Sequence, residues 1–176
     1  MLQEALELDF DFLAMTDHYG INTETRAESF IKCGSETRLF CIPGAELFAG
    51  PQPLHLLALG ITEGISPSLT LQEQLEEIHR QGGLAIAAHP DRSGHRYTTE
   101  ELYYSAFDAM ECARGSEAYN LEQLILSEQY NLPCAYNSDA HERDELGNRY
   151  TICSVPINNL ADLKAAWIGG KCEMNR

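Results

Sequence analysis

Positive charge is scarce in this sequence. Twelve lysines and arginines stand against 27 aspartates and glutamates, a formal net charge of −15, and only three of the twelve are lysines. A protein that grips nucleic acid through a basic face needs clustered Lys and Arg to displace counterions. Such a surface-bound partner is therefore disfavoured. The chain also lacks any apolar run near the ~18 residues of a membrane span. Its first sixteen residues carry Glu4, Glu7, Asp9 and Asp11, where a signal peptide would carry a basic start. Neither a leader nor a membrane partner is expected. The GxSxG, GxxxxGK[ST] and GxGxxG patterns are all missing, and with them the marks of an α/β-hydrolase, a P-loop nucleotide binder and a dinucleotide fold. No two of the six cysteines stand as CxxC. Cys41, Cys134 and Cys153 fall in apolar strand-like runs, where a thiol behaves as a small core residue. The cysteines are therefore expected to be reduced, in a cytoplasmic protein.

What is present points to one α/β domain spanning residues 1–176. The chain has 176 residues, 44% of them hydrophobic, enough for a single core. Residues 1–8 read as a helix, with Leu2, Ala5 and Leu6 on one face. A strand is expected over 10–16, a helix over 22–34 capped by Asn22 or Thr23, and strands over 38–46 and 54–60. Leu71, Leu75 and Ile78 fall at helical spacing within 68–81, and Gly82-Gly83 ends that helix. Strands follow over 84–88, 107–112, 133–137 and 150–155, with helices from Thr98, over 118–130 and over 159–169. Pro51-Gln52-Pro53 reads as a tight loop. Seven apolar strands alternating with helices argue for a largely parallel sheet covered by helices.

Several of these strands end in metal-binding side chains. LAMTDH ends in Asp17 and His18, the 38–46 strand in Glu46, AIAAHP in His89, FDAMEC in Glu111, and CAYNSDAH in Asp139 and His141. His55 stands near the start of its strand and joins the others if 46–55 is an antiparallel return. The carboxyl ends of strands form the functional side of parallel α/β folds. A single histidine there is more often a polar cap. The weight lies in four of six histidines standing beside acids at one end. His79, on a helix, is expected in solvent, and His95 in a polar loop. Imidazole and carboxylate donors suit Zn²⁺, Mn²⁺ or Fe²⁺. A carboxylate such as Glu46 can bridge two ions, an arrangement suited to phosphoester hydrolysis.

TDH, PGAE, LHLLALGI, GGLAIAAHP and NSDAH, in that order and followed by Gly147, resemble the PHP (polymerase and histidinol phosphatase) family over nearly the whole chain. The resemblance implies a distorted (β/α)7 TIM-like barrel with one to three divalent ions at its mouth. It implies hydrolysis of a phosphate ester by a metal-activated water, with a small phosphorylated substrate. It makes His18, Glu46, His55, His89, Asp139 and His141 metal ligands and Asp17 the partner that orients His18. Arg92, just past His89, is a candidate phosphate contact; Tyr19, Arg114 and Arg149 are further residues near strand ends. The family's opening strand ends in His-x-His, and no HxH occurs in these 176 residues. The expectation is a barrel without its N-terminal strand, with unpaired edges that invite a homo-oligomer. A non-catalytic PHP-like metal- or partner-binding module, and an amidohydrolase on a similar barrel, remain as alternatives.

Overall fold

The structure is a computed structural model, and it describes residues 1–18, 33, 38–50, 54–90, 96–104, 106–112 and 117–175. The helix expected over 22–34 lies, except for Cys33, outside the described residues, as does the Pro51-Gln52-Pro53 loop. Five helices are described: α1 (Leu2–Glu7), α2 (Leu71–Arg80), α3 (Thr99–Tyr104), α4 (Glu117–Tyr130) and α5 (Leu160–Ile168). Eight strands accompany them: β1 (Phe12–Met15), β2 (Phe40–Ala49), β3 (Leu54–Leu59), β4 (Leu84–Ala87), β5 (Ala109–Glu111), β6 (Cys134–Ala135), β7 (Thr151–Cys153) and β8 (Cys172–Met174). β8 was not expected. Its residues Cys172, Glu173 and Met174 carry no apolar run, and its partner β7 selects it.

The first six strands form one sheet in the order β1-β2-β3-β4-β5-β6. All neighbouring pairs are parallel except β2–β3 and β3–β4. β3 alone therefore runs backwards, as the antiparallel return at 46–55 required. β2 is longer than expected because it serves two partners in turn. Phe40–Pro43 pair with β1, and Gly44–Ala49 pair with β3. The changeover falls at Pro43-Gly44, which bends the strand without ending it. Gly44 is needed there, since a β-carbon would stand 2.5 Å from the Ala58 carbonyl oxygen.

The strands alternate strictly between two faces. One face, with Ala45, Leu47, Leu56, Ala58, Ala85, Ala87 and Met110, packs against Leu75 and Ile78 of α2. Burying each of those two side chains stabilises by about 1.5–3 kcal/mol. α2 itself starts with a capping box between Thr70 and Glu73. The other, inner face carries Ile42, Leu59, Leu84, Ile86, Ala109 and Ala135, and Leu163, Ala166 and Trp167 of α5 close its lower end. α1 covers β1 through Ala5, against Leu13 and Leu39.

The described strands thus make a curled six-stranded sheet and a separate β7–β8 ribbon, in place of seven strands in one closed ring. β7 approaches β6 through a side chain: Thr151 Oγ1 accepts from the Tyr136 amide and donates to its carbonyl. Between β1 and the β6–β7 region lies a cavity of about 1470 Å³.

Two expectations are corrected. The cysteines are not free thiols: the structure pairs Cys33 with Cys41, Cys112 with Cys134, and Cys153 with Cys172. Spacing along the chain hid this, because sheet pairing creates the proximity. Cys153 and Cys172 are directly opposite across β7–β8, and Cys112 and Cys134 lie on adjoining segments at β5 and β6. His79 is not a solvent residue either. Its Nε2 meets Asp108 Oδ2 at 3.0 Å at the foot of the sheet. No described helix is long and apolar enough to cross a membrane.

Candidate metal centre

The inner face supplies the site at the end opposite α5. Glu46 stands in the middle of β2, not at its end as expected, but just beyond the stretch that pairs with β1. His55 is the second residue of β3 and lies across from Phe48. Because β3 is reversed, its start coincides with the carboxyl ends of its neighbours. Residues 46, 48 and 55 share one face of the hairpin, so Glu46 and His55 are diagonal neighbours. Glu46 Oε1 lies 2.6 Å from His55 Nδ1.

His89 follows β4. Strand alternation alone would send it outward with Ala85 and Ala87. Its backbone instead turns left-handed, with φ +30°, a costly conformation for a residue with a β-carbon. The turn brings Nε2 to 3.0 Å from His55 Nδ1 and 3.6 Å from Glu46 Oε1. Glu46, His55 and His89 are all buried, and their donor atoms converge within 4.8 Å. Ligand atoms about 2.1 Å from a tetrahedral ion sit about 3.4 Å apart. The observed 2.6–3.6 Å is within an ångström of that. Two imidazoles and a carboxylate, buried and convergent, fit a divalent cation.

Glu46 also faces the other way. Its Oε2 lies 3.0 Å from Nε2 of His18, which is half exposed. A backbone bridge joins His18 to Glu46, so β1 resumes contact with β2 after the Pro43-Gly44 bend. The two oxygens of Glu46 thus face different histidines, Oε1 the buried His55 and His89 and Oε2 the half-exposed His18. Phe48 separates them, edge-on to both His18 and His55. Burial pushes the Glu46 pKa up, but the bond from His55 and the nearness of His55, His89 and His18 outweigh it. The carboxyl is held below its ordinary range.

Asp139 and His141 line the same cavity as His18 and Glu46. The His141 ring is 6.3 Å, centre to centre, from that of His18. His141 Nδ1 donates to the Asp139 carbonyl at 2.9 Å, which leaves Nε2 as the lone-pair nitrogen. Asp139 is itself left-handed, φ +51°, with the Asn137 side chain accepting from its amide. Asp17 reaches the site through its backbone, its carbonyl accepting from the Glu46 amide at 3.2 Å. The His18 ring pairs with the Glu46 carboxylate. Arg92, Tyr19, His95 and Arg114 lie outside the described residues. Glu111, counted among the strand-end acids but left out of the ligand set, is 1% exposed and bonded to His89.

Residues 117–172 match the PHP-associated family. That stretch includes Asp139 and His141 but none of the buried trio. An uncharacterized protein of Methanocaldococcus jannaschii is 29% identical over 121 residues, 63% of this chain and 50% of that one. Among solved structures, a two-domain protein of Bacteroides vulgatus containing a predicted PHP-like metal-dependent phosphoesterase superposes with a TM-score of 0.76. It is 16% identical, over 99% of this chain and 58% of that one. The lesion-specific endonuclease EndoQ of Pyrococcus furiosus superposes with a TM-score of 0.69 at 17% identity, over 98% of this chain and 51% of that one. The chain thus spans about half the length of the relative it matches.

Proposed function

We propose that this chain, which its fold and its family match support as a PHP-domain protein, is a metal-dependent phosphoesterase acting on a small phosphorylated substrate. The observation that carries the reading is the buried convergence of Glu46, His55 and His89 on one point of the cavity wall. Glu46, His55 and His89 would hold one divalent ion, and His18, Asp139 and His141, with the second oxygen of Glu46, would hold further ions nearer the mouth. A bound divalent cation supplies Lewis acidity, lowering the pKa of water and drawing charge from a phosphoryl oxygen. The chain's own residues do the rest. Phe48 and the apolar wall exclude water from the buried trio. Asp17 would position His18 through the hydrogen bond its carbonyl accepts from the Glu46 amide, next to the His18–Glu46 bridge. Arg92 is proposed as a phosphate contact.

Net charge supports a small substrate over a nucleic acid bound at the surface. At −15 overall, the surface repels a long polyanion, whereas a small phosphate ester brings little charge and fits the cavity. We further propose that the curled sheet is part of a distorted (β/α)7 barrel. Among the described residues β1 and β6 are the outer strands of the sheet and both line the same cavity, which supports this.

The test is turnover of p-nitrophenyl phosphate and of its bis-ester with added Mn²⁺, Zn²⁺ or Fe²⁺. Hydrolysis is expected to fall at least 10²-fold in His89→Ala. Metal-replete protein that hydrolyses neither ester overturns the catalytic reading. Metal bound without turnover would point to a binding module instead.

A further inference from the structure

We infer that Glu111 is a positioning residue that holds His89 with its proton on Nδ1, so that the Nε2 lone pair faces Glu46 and His55. One oxygen of Glu111 does two things. Oε2 accepts from the backbone N–H of His89 at 2.5 Å and lies 3.2 Å from the same residue's Nδ1. A carboxylate oxygen only accepts, so Nδ1 is the donor. The ring is thereby tied to its own main chain at the point where that main chain is left-handed. Both links oppose the outward direction that alternation along β4 would give the side chain. Glu111 is well placed for this because β5 runs parallel to β4 and ends beside it.

The other oxygen of Glu111 argues for a role beyond that of an acceptor. Oε1 is buried and has no hydrogen-bond partner among the described residues. A buried carboxylate oxygen left unpaired is costly. A glutamine would satisfy the His89 amide equally well without a buried charge. A carboxylate earns its place when the imidazole it holds faces a cation, because it orients the ring and raises the basicity of the opposite nitrogen. Where it concerns an ion, this inference rests on the metal-site reading above. Where it concerns the ring proton, it does not.

The experiment separates the two. Long-range ¹H–¹⁵N correlation spectra of metal-free, ¹⁵N-labelled protein at pH 8 report the proton position on each histidine, and His89→Gln identifies the His89 signals. The expected result is a proton on Nδ1 alone. A proton on Nε2, or on both nitrogens, overturns the inference. Calorimetric titration with Zn²⁺ or Mn²⁺ then compares the wild type with Glu111→Gln, whose thermal midpoint checks its fold. Affinity is expected to fall roughly 10–100-fold. A well-folded variant within twofold of the wild type overturns the positioning role. If the wild type binds neither ion, the metal-site reading falls, and the ring proton alone decides the role of Glu111.

Discussion

At the scale of single residues, charge placement at the foot of the sheet is as specific as at the mouth. Asp108 is nearly buried and takes Lys164 Nζ at 2.7 Å, His79 Nε2 at 3.0 Å and the Ala85 amide at 2.9 Å. It ties α5, α2 and β4 together. Burial raises its pKa, but the bonds from Lys164, Ala85 and His79 outweigh that and leave the carboxyl below its ordinary range. The folded pKa is therefore lower than the unfolded one. The stabilisation is fully present above about pH 3.9 and is lost as the pH falls through the folded value. Asp108→Asn keeps an acceptor for Ala85 but loses the charge. It is expected to cost about 1–2 kcal/mol at pH 7, discounted for the half-exposed lysine. Urea unfolding at pH 7 and pH 3 checks this: the gap between the two proteins should narrow in acid.

At the scale of elements, the β2–β3 hairpin sets the site, and one glycine sets the hairpin. Gly44→Ala would drive a β-carbon into the Ala58 carbonyl, a rigid backbone atom. The two strands must separate, at a cost of about 1–3 kcal/mol. Glu46 and His55 sit two and four pairs along from Gly44. The variant should therefore lose metal affinity as well as thermal stability, and calorimetric titration alongside a melt measures both. Affinity unchanged in a destabilised variant would show that the clash is absorbed elsewhere. Much of this level is legible in the sequence. Apolar runs ending in Asp17-His18, Glu46 and His89 place strands and site together, and Gly82-Gly83 ends α2. What is not legible is what depends on a partner. β8 has no pattern of its own, the reach of β2 depends on its change of partner at Pro43-Gly44, and the inward turn of His89 depends on Glu111, 22 residues away. The disulfides are hidden for the same reason.

For the molecule as a whole, the three cysteine pairs add covalent ties to those made by packing and strand pairing. Cys153–Cys172 closes a separation of 19 residues and fixes the β7–β8 ribbon, while Cys112–Cys134 closes 22 residues and links the β5 and β6 ends. Loops of this size are worth about 3 kcal/mol each. Thiol titration of the denatured, unreduced protein should find no free cysteine, against six after reduction. Reduction should lower the thermal midpoint by several degrees. Free thiols in the unreduced protein would return the cysteines to the reduced state expected from the sequence alone. The reversed direction of β3 carries a consequence for how the centre assembles. Glu46 and His55 are nine residues apart, within a hairpin of the kind that forms in microseconds. His89 is 34 residues beyond His55, across a connection through α2 that must close a longer loop. Two of the three proposed ligands meet by local folding alone, so an ion captured by the hairpin would favour the docking of β4 and join the folding nucleus.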